Sequence, residues 1–144
     1  MYRDGLYVLG PRSDEGQADP RLYAVDRMED ADADRKGTFD VPTDFDPDAF
    51  FGTGLGLWQT SDPPVEVKLA FAPNAAIYAR ERRWPGHISW EKQGDREVLT
   101  LKRAITPEGV SWASAWGADL GVLGPASLRR QVAAHLQAAL GQYT

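Results

Sequence analysis

The sequence predicts an α+β protein in which a short β segment is followed by a connector and then by a mixed domain. Three observations support this. Hydrophobic residues make up 42% and charged residues 26% of the 144 residues, as in ordinary globular chains. Asp, Pro and Gly concentrate between residues 34 and 64. From residue 65 onward, apolar positions recur at strand and helix spacing. We therefore predict three parts: residues 1–33, 34–64 and 65–144.

The first part contains two predicted strands separated by a polar loop over residues 11–20. The run "GLYVLG" (5–10) is apolar and ends at glycine, and "PRLYAVDR" (20–27) opens a second strand that continues towards Ala33. Side chains of a strand alternate between faces, so one face carries Arg21, Tyr23, Val25 and Arg27. A lone hairpin is marginally stable in water. We expect its sheet to be completed by the rest of the chain, another subunit or a missing N-terminal segment.

The second part reads as an acidic, Pro/Gly-rich linker with apolar anchors. "DPDAFF" predicts one helical turn with Asp46 as the N-cap and Pro47 at the first helical position. Asp62-Pro63-Pro64 ends this part. The apolar anchors are Phe39, Val41, Phe45, Phe50, Phe51, Leu55 and Trp58.

The third part predicts a regular order of elements. They are a strand (65–71), a helix (72–84), a hairpin of strands 87–92 and 97–105, a helix (106–117), a strand (118–124) and a last helix (125–143). This βαββαβ order with an added C-terminal helix is the ferredoxin-like arrangement. Thr106 is the predicted N-cap of the second helix. The last helix is predicted to bury one face: Leu128, Val132, Leu136, Ala139 and Tyr143.

Charge and cysteine content narrow the classes of function. The net charge is −5, with 14 acidic and 6 basic residues before residue 65 but 7 acidic and 10 basic residues after it. The whole chain is therefore not a general polyanion binder, and an anion would have to bind through individually placed arginines. Cysteine is absent, which excludes disulfides and thiolate metal sites. Without a signal peptide or a membrane-length apolar run, we predict a cytoplasmic protein.

The sequence offers no catalytic or metal-binding pattern. No nucleophile–base pair is apparent, and the two histidines, His87 and His135, lie far apart without a ligand at helical spacing. "GTGLG" (52–56) lacks the strand and the Lys-Ser/Thr of a phosphate loop, and we interpret it as a turn. We therefore predict a protein that is not an enzyme and uses neither cofactor nor metal.

Two groups of residues are candidates for binding an anion. Arginine binds phosphate through two hydrogen bonds and tyrosine offers a stacking plane, so the first group is Arg21, Arg27, Tyr7 and Tyr23. The alternative is that these arginines pair with Asp19, Asp26 or Asp30 on a solvated edge.

The second group is "RERRW", where Arg80 and Arg83 lie at i,i+3 beside Arg82. The alternative here is that these arginines only complement the helix C-terminal dipole. Trp84, Trp90, Trp112 and Trp116 are predicted to belong to the core.

The order of motifs resembles the C-terminal part of WYL-domain transcriptional regulators. "GLYVLG" resembles the Trp-Tyr-Leu signature of an Sm/SH3-like barrel, with Leu6 in the tryptophan position, and "RLYAVDRMEDA" resembles the strand after it. "FDVPTDFDPDAFF" resembles the linker that leaves the barrel. The pieces "VEVKLAFAPNAAIYARERRW", "WASAWGADLGVLGP" and "LRRQV" resemble the following extension, known as WCX.

The resemblance implies a ligand-sensing and dimerising module. It implies a homodimer with no membrane association that binds an anionic effector, such as single-stranded nucleic acid or a nucleotide. The ligand-binding residues would be Arg21, Tyr23, Arg27, Tyr7, Arg80 and Arg83. The helix-turn-helix and first barrel strands of the family do not occur in this sequence, so we do not expect this chain to bind operator DNA itself. The alternative is a purely structural dimerisation or protein-interaction module without a ligand, in which the arginines form surface pairs.

Overall fold

A computed structural model describes residues 5–11, 20–38, 40, 43–52, 54 and 60–144. The chain divides into two compact units, Met1–Val41 and Pro42–Thr144, called here the N-terminal and C-terminal units. Two antiparallel sheets and four α-helices are present in the described residues, which confirms the predicted α+β class.

The N-terminal unit contains a two-stranded antiparallel sheet in its described part. Strand β1 (Tyr7–Gly10) pairs with β2 (Arg21–Ala24), and the Val25 amide donates to the Leu6 carbonyl at 2.8 Å. The chain then enters a 3-10 turn over Val25–Arg27, closed by the Met28 amide on the Val25 carbonyl at 3.0 Å. The prediction of a strand through residue 27 and beyond is therefore wrong. Most of the predicted loop, residues 12–19, lies outside the described residues.

The connector begins its helix where the sequence predicted. Helix α1 (Pro47–Phe51) starts at the proline, and the Phe50 amide donates to the Asp46 carbonyl at 2.9 Å. Gly54 forms a parallel bridge with Ala104, so part of the connector lies against the C-terminal sheet. The predicted anchors Phe39, Val41, Leu55 and Trp58 lie outside the described residues.

The C-terminal unit has the predicted order of elements. They are β3 (Val65–Phe71), α2 (Pro73–Arg80), β4 (His87–Gln93), β5 (Arg96–Arg103), α3 (Pro107–Ala115), β6 (Leu120–Gly124) and α4 (Ala126–Leu140). The strands lie in the order β4-β5-β3-β6 with all neighbours antiparallel, so β4 and β6 are the edges. The Thr106 hydroxyl accepts from the Gly109 amide at 3.0 Å, which confirms the predicted N-cap of α3.

The core is built on one face of the two central strands, β3 and β5. Leu69 pairs with Leu99 across β3 and β5, both are fully buried, and Phe71 follows on the same face. The tryptophans complete this core as predicted: the rings of Trp90 and Trp116 lie 5.9 and 5.4 Å from that of Phe71. Each large side chain buried in this way contributes about 1.5–3 kcal/mol.

The prediction for the last helix is half right. Leu128 and Val132 are buried where α4 packs against α3 and β6. The next positions on the same face are exposed, with Leu136 at 37% and Tyr143 at 88%. Helical periodicity correctly identified the apolar face of α4. Within the described residues, α3 and β6 cover only the first part of that face. None of the helices in the described ranges is both long and apolar enough to cross a membrane.

Candidate anion-binding sites

Two of the four predicted side chains in the N-terminal unit share one face of β2. Arg21 and Tyr23 are two residues apart and both exposed, whereas Leu22 between them is half-buried. Tyr23 pairs directly with Val8, whose side chain therefore lies on the same face. We call this surface the Arg21–Tyr23 face. It combines a guanidinium with an exposed aromatic ring, as the sequence predicted.

The other two predicted side chains are placed elsewhere. Tyr7 pairs with Ala24, so it lies on the opposite face of the hairpin from Tyr23. Arg27 belongs to the 3-10 turn after β2 and does not continue the alternation of the strand. The expectation that these four side chains form one surface is wrong, because β2 ends three residues earlier than predicted and because the register separates the two tyrosines.

Arg80 has acid and aromatic partners within its own unit. Its Nε donates to the Glu97 carboxylate at 2.6 Å, its Nη2 forms an ion pair with the same oxygen, and its guanidinium lies 4.8 Å from the centroid of Trp90. These contacts join α2 to the β4–β5 hairpin. The structure thus gives Arg80 a structural role through Glu97 and Trp90, which neither the predicted anionic groove nor the helix-dipole alternative specified.

The helix that was predicted to extend to Trp84 ends at Arg80. The Ala79 carbonyl near its end accepts from the Trp84 indole Nε1 at 2.7 Å and from the Arg82 amide at 3.4 Å. The helix therefore ends before Pro85, where a hydrogen bond from a tryptophan side chain five residues further on occupies this carbonyl. The i,i+3 alignment predicted for Arg80 and Arg83 does not occur, because Arg83 lies beyond the helix.

The connection from α2 to β4 is held in a defined conformation. Gly86 has φ of +73°, and a Cβ there would lie 2.4 Å from the Lys102 carbonyl oxygen. The Lys102 amide also donates to the Gly86 carbonyl at 2.8 Å. The ring of Trp84 packs at 5.4 Å from that of Trp112 in an edge-on arrangement. Only glycine fits at position 86, and the turn that it allows fixes the positions of the neighbouring side chains.

These contacts create an open recess of about 620 Å³ at the surface of the C-terminal unit. We call it the α2–β4 recess, and it is lined by Arg82, Arg83, Trp84, Pro85, His87 and Trp90. Arg82 and Arg83 are exposed, whereas both tryptophans are half-buried. The sequence predicted an anionic groove from Arg80 and Arg83. The structure lines this recess with Arg83 and Arg82 and leaves Arg80 outside its lining.

Arg103 is an important residue that the sequence reasoning did not identify. It is 9% exposed, its Nε donates to the Pro85 carbonyl at 2.9 Å, and its Nη1 donates to the Gly52 carbonyl at 3.1 Å. It therefore fastens the connector to the domain. A signal was present, because Arg103 follows Leu99 and Leu101 on the inward face of β5. Within the described ranges, no group of three His, Asp or Glu side chains is placed to hold a metal ion.

The fold and these surfaces define a small α+β module with arginine-bearing surfaces. The sequence model of the WCX domain matches residues 63–140, and the chain belongs to this family. The match confirms the WCX part of the resemblance stated from the sequence.

One solved structure to which the chain is similar is proteasome accessory factor B/C (PafBC) of Arthrobacter aurescens. The similarity has 23% sequence identity and a TM-score of 0.45, and it covers 92% of this chain. The chain spans 20% of the length of that protein. Among curated protein sequences, none matches the chain.

Proposed function

We propose that the chain is the ligand-sensing and dimerisation part of a WYL-type bacterial transcriptional regulator. Its membership of the WCX family supports the class of protein. The observation that carries ligand binding is the Arg21–Tyr23 face, where an exposed arginine and an exposed tyrosine stand side by side on one strand. The effector we propose is anionic, either single-stranded nucleic acid or a nucleotide.

The chemistry of the Arg21–Tyr23 face supports this class of effector. A guanidinium forms charge-assisted, paired hydrogen bonds with a phosphate, and a base stacks on a tyrosine ring regardless of its sequence. Tyr23 is 36% exposed, so part of its ring is accessible to a base. In the proposed mechanism the effector binds one arrangement of the regulator more tightly than another and shifts the population towards it.

Dimerisation is the second part of the proposal. Leu136, Leu140 and Tyr143 expose apolar surface at 37%, 61% and 88% along the C-terminal end of the chain. Contiguous exposed apolar surface of this kind is typical of protein–protein contacts. We expect light scattering to give twice the chain mass at micromolar concentration, and Leu140→Asp to shift the protein towards monomer. A wild-type monomer at 100 µM would contradict dimerisation.

The binding experiment is an anisotropy titration of a labelled single-stranded oligonucleotide at 150 mM NaCl. Replacing Arg21 by glutamine removes a charged hydrogen bond, so we expect binding to weaken about tenfold. Tyr23→Leu should weaken it by roughly five-fold or more through lost stacking. Tyr7→Leu, on the opposite face, and Arg35→Gln, an exposed arginine outside the hairpin, are the controls. No binding by the wild type, or equal weakening in Arg35→Gln, would contradict the proposal.

The ligand-free structural module is the second candidate function. The Arg80–Glu97 pair favours it, because that arginine acts within the fold as a surface pair would. A stable dimer that binds neither oligonucleotide nor nucleotide would select this candidate.

A further inference from the structure

Strand β6 is one edge of the C-terminal sheet and contains no charged residue. Its sequence over Leu120–Gly124 is LGVLG, whereas the strand at the other edge, β4, contains His87, Glu91 and Lys92. Charged side chains on an edge strand discourage another chain from pairing with it. Of the two edges, β6 is therefore the one whose side chains leave the approach of a further strand open.

The hydrogen bonds of β6 show which of its backbone groups face outward. The Ala72 amide donates to the Asp119 carbonyl at 2.8 Å, at the end of the β3–β6 ladder. Bonded and non-bonded pairs alternate in an antiparallel ladder. Gly121 therefore also bonds inward to β3, and the amides and carbonyls of Leu120 and Val122 point away from it. Within the described residues no strand pairs with these outward groups, so they can accommodate one more strand.

A guanidinium lies close to this edge, on the face of the sheet opposite the core. Arg96, at the start of β5, donates from its Nη1 to the Ala70 carbonyl at 3.2 Å. The same nitrogen lies 4.0 Å from the point where a Cβ on Gly121 would stand. Arginine has five N–H donors, and among the described residues no carboxylate forms an ion pair with Arg96. Most of its hydrogen-bonding capacity is therefore available to a carboxylate placed beside Gly121.

An exposed leucine lies at the other end of the same strand. The register between β3 and β6 shifts between Lys68 and Leu69, so Leu123 has no partner on β3 and is 42% exposed. A β-bulge of this kind re-aims a side chain. The edge of β6 thus offers outward backbone groups, a guanidinium next to a glycine, and an apolar side chain within five residues.

We propose that the outer edge of β6 binds an extended segment of a partner protein as a fifth strand of the sheet. The segment would run antiparallel to β6, as all neighbours in this sheet do. It would carry an aspartate or glutamate opposite Gly121, where the carboxylate would pair with Arg96, and an apolar residue near Leu123. A second copy of the chain is a poorer match, because two paired β6 strands bring no acid to Arg96.

This partner strand goes beyond the proposed function and rests neither on its anionic effector nor on its dimer. The probe is a short synthetic peptide, blocked at both ends, in which valine and threonine alternate around one central aspartate. NMR spectra of the backbone amides at 150 mM NaCl locate its binding and give its affinity. We expect the outward amides of Leu120 and Val122 to exchange with solvent at least tenfold more slowly when the peptide is bound. The Gly121 amide, already bonded to β3, should change little.

Matched variants of peptide and protein test the contact with Arg96. Asparagine in place of the peptide aspartate should weaken binding about tenfold, because a charged hydrogen bond is lost. Arg96→Gln should weaken binding of the aspartate peptide equally but bind the asparagine peptide as the wild type does, since both changes remove one contact. Lys92→Gln removes a charge from the other edge strand and should leave affinity within two-fold. The backbone spectrum of each variant checks that it is folded.

Three results would each overturn the proposal. The first is unchanged exchange of the Leu120 and Val122 amides at 2 mM peptide. The second is equal weakening of binding in Arg96→Gln and Lys92→Gln. The third is slower exchange of the same two amides as the protein alone is concentrated, together with twice the chain mass in light scattering, because a second copy would then occupy the edge.

Discussion

Replacing Arg103 by methionine tests whether the connector is held to the C-terminal domain by this side chain. Arg103 is 9% exposed and donates to the carbonyls of Pro85 at 2.9 Å and Gly52 at 3.1 Å. A hydrogen bond from a charged donor contributes about 1.5–3 kcal/mol, and methionine retains much of the apolar volume of arginine. Taking the lower value for each bond, we expect the free energy of unfolding to fall by about 3 kcal/mol.

Urea unfolding followed by tryptophan fluorescence measures this loss. Lys102→Met, at the adjacent exposed position, is the control and should change stability by less than about 0.5 kcal/mol. Arg103→Lys keeps the charge but lacks the fork that reaches both carbonyls, so an intermediate loss is expected. Hydrogen exchange of the α1 amides should accelerate in Arg103→Met. A loss below about 1 kcal/mol, or one equal to that of Lys102→Met, would refute the bridging role.

Three further predictions concern local structure. Gly86→Ala should lower the free energy of unfolding by more than about 3 kcal/mol, because strain at positive φ and a backbone clash add together. Gly94→Ala, with φ of +66° and open space, should lower it by only about 1–2 kcal/mol, and equal losses would contradict the clash. Thr106→Ala should lower it by about 1 kcal/mol and Thr106→Ser should restore it; no difference between the two in urea unfolding would exclude the cap. Arg80→Gln should lower the free energy of unfolding by under about 1 kcal/mol, because its ion pair with Glu97 is partly exposed; a loss above about 2 kcal/mol in urea unfolding would contradict this.

The elements that the sequence predicted well are those whose signals are local. Thr106 and the following proline define a helix start without help from the rest of the chain, and the α3 cap forms as expected. The β4–β5 hairpin likewise follows from two alternating runs around a turn at Gly94, which adopts the positive φ that such a turn requires.

The elements that were mispredicted end at hydrogen bonds that the pattern of apolar residues does not reveal. Residues 81–84 continue a helical pattern, but the Trp84 indole donates to the Ala79 carbonyl and the helix ends at Arg80. Val25 and Arg27 continue the alternation of β2, but the chain turns after its last bond to Leu6. Single-sequence patterns record what a segment favours, whereas these ends coincide with particular hydrogen bonds, one to a residue five positions back and one across the hairpin.

At the candidate sites, the sequence identified the types of residue but not the role of each one. Composition and spacing identified the arginines of "RERRW" as a group, and the structure gives its members different environments. Arg80 lies above Trp90 and beside Glu97, and Arg83 lies at an open rim. Arg103 was overlooked because an arginine at a strand end usually faces solvent, yet its side chain is buried. Whether Arg80 is paired depends on the position of its acidic partner, Glu97. That position is set by the register of the β4–β5 hairpin. Glu97 lies one residue beyond Arg96 at the start of β5, so a one-residue slip would turn its carboxylate to the other face of the sheet and leave Arg80 unpaired.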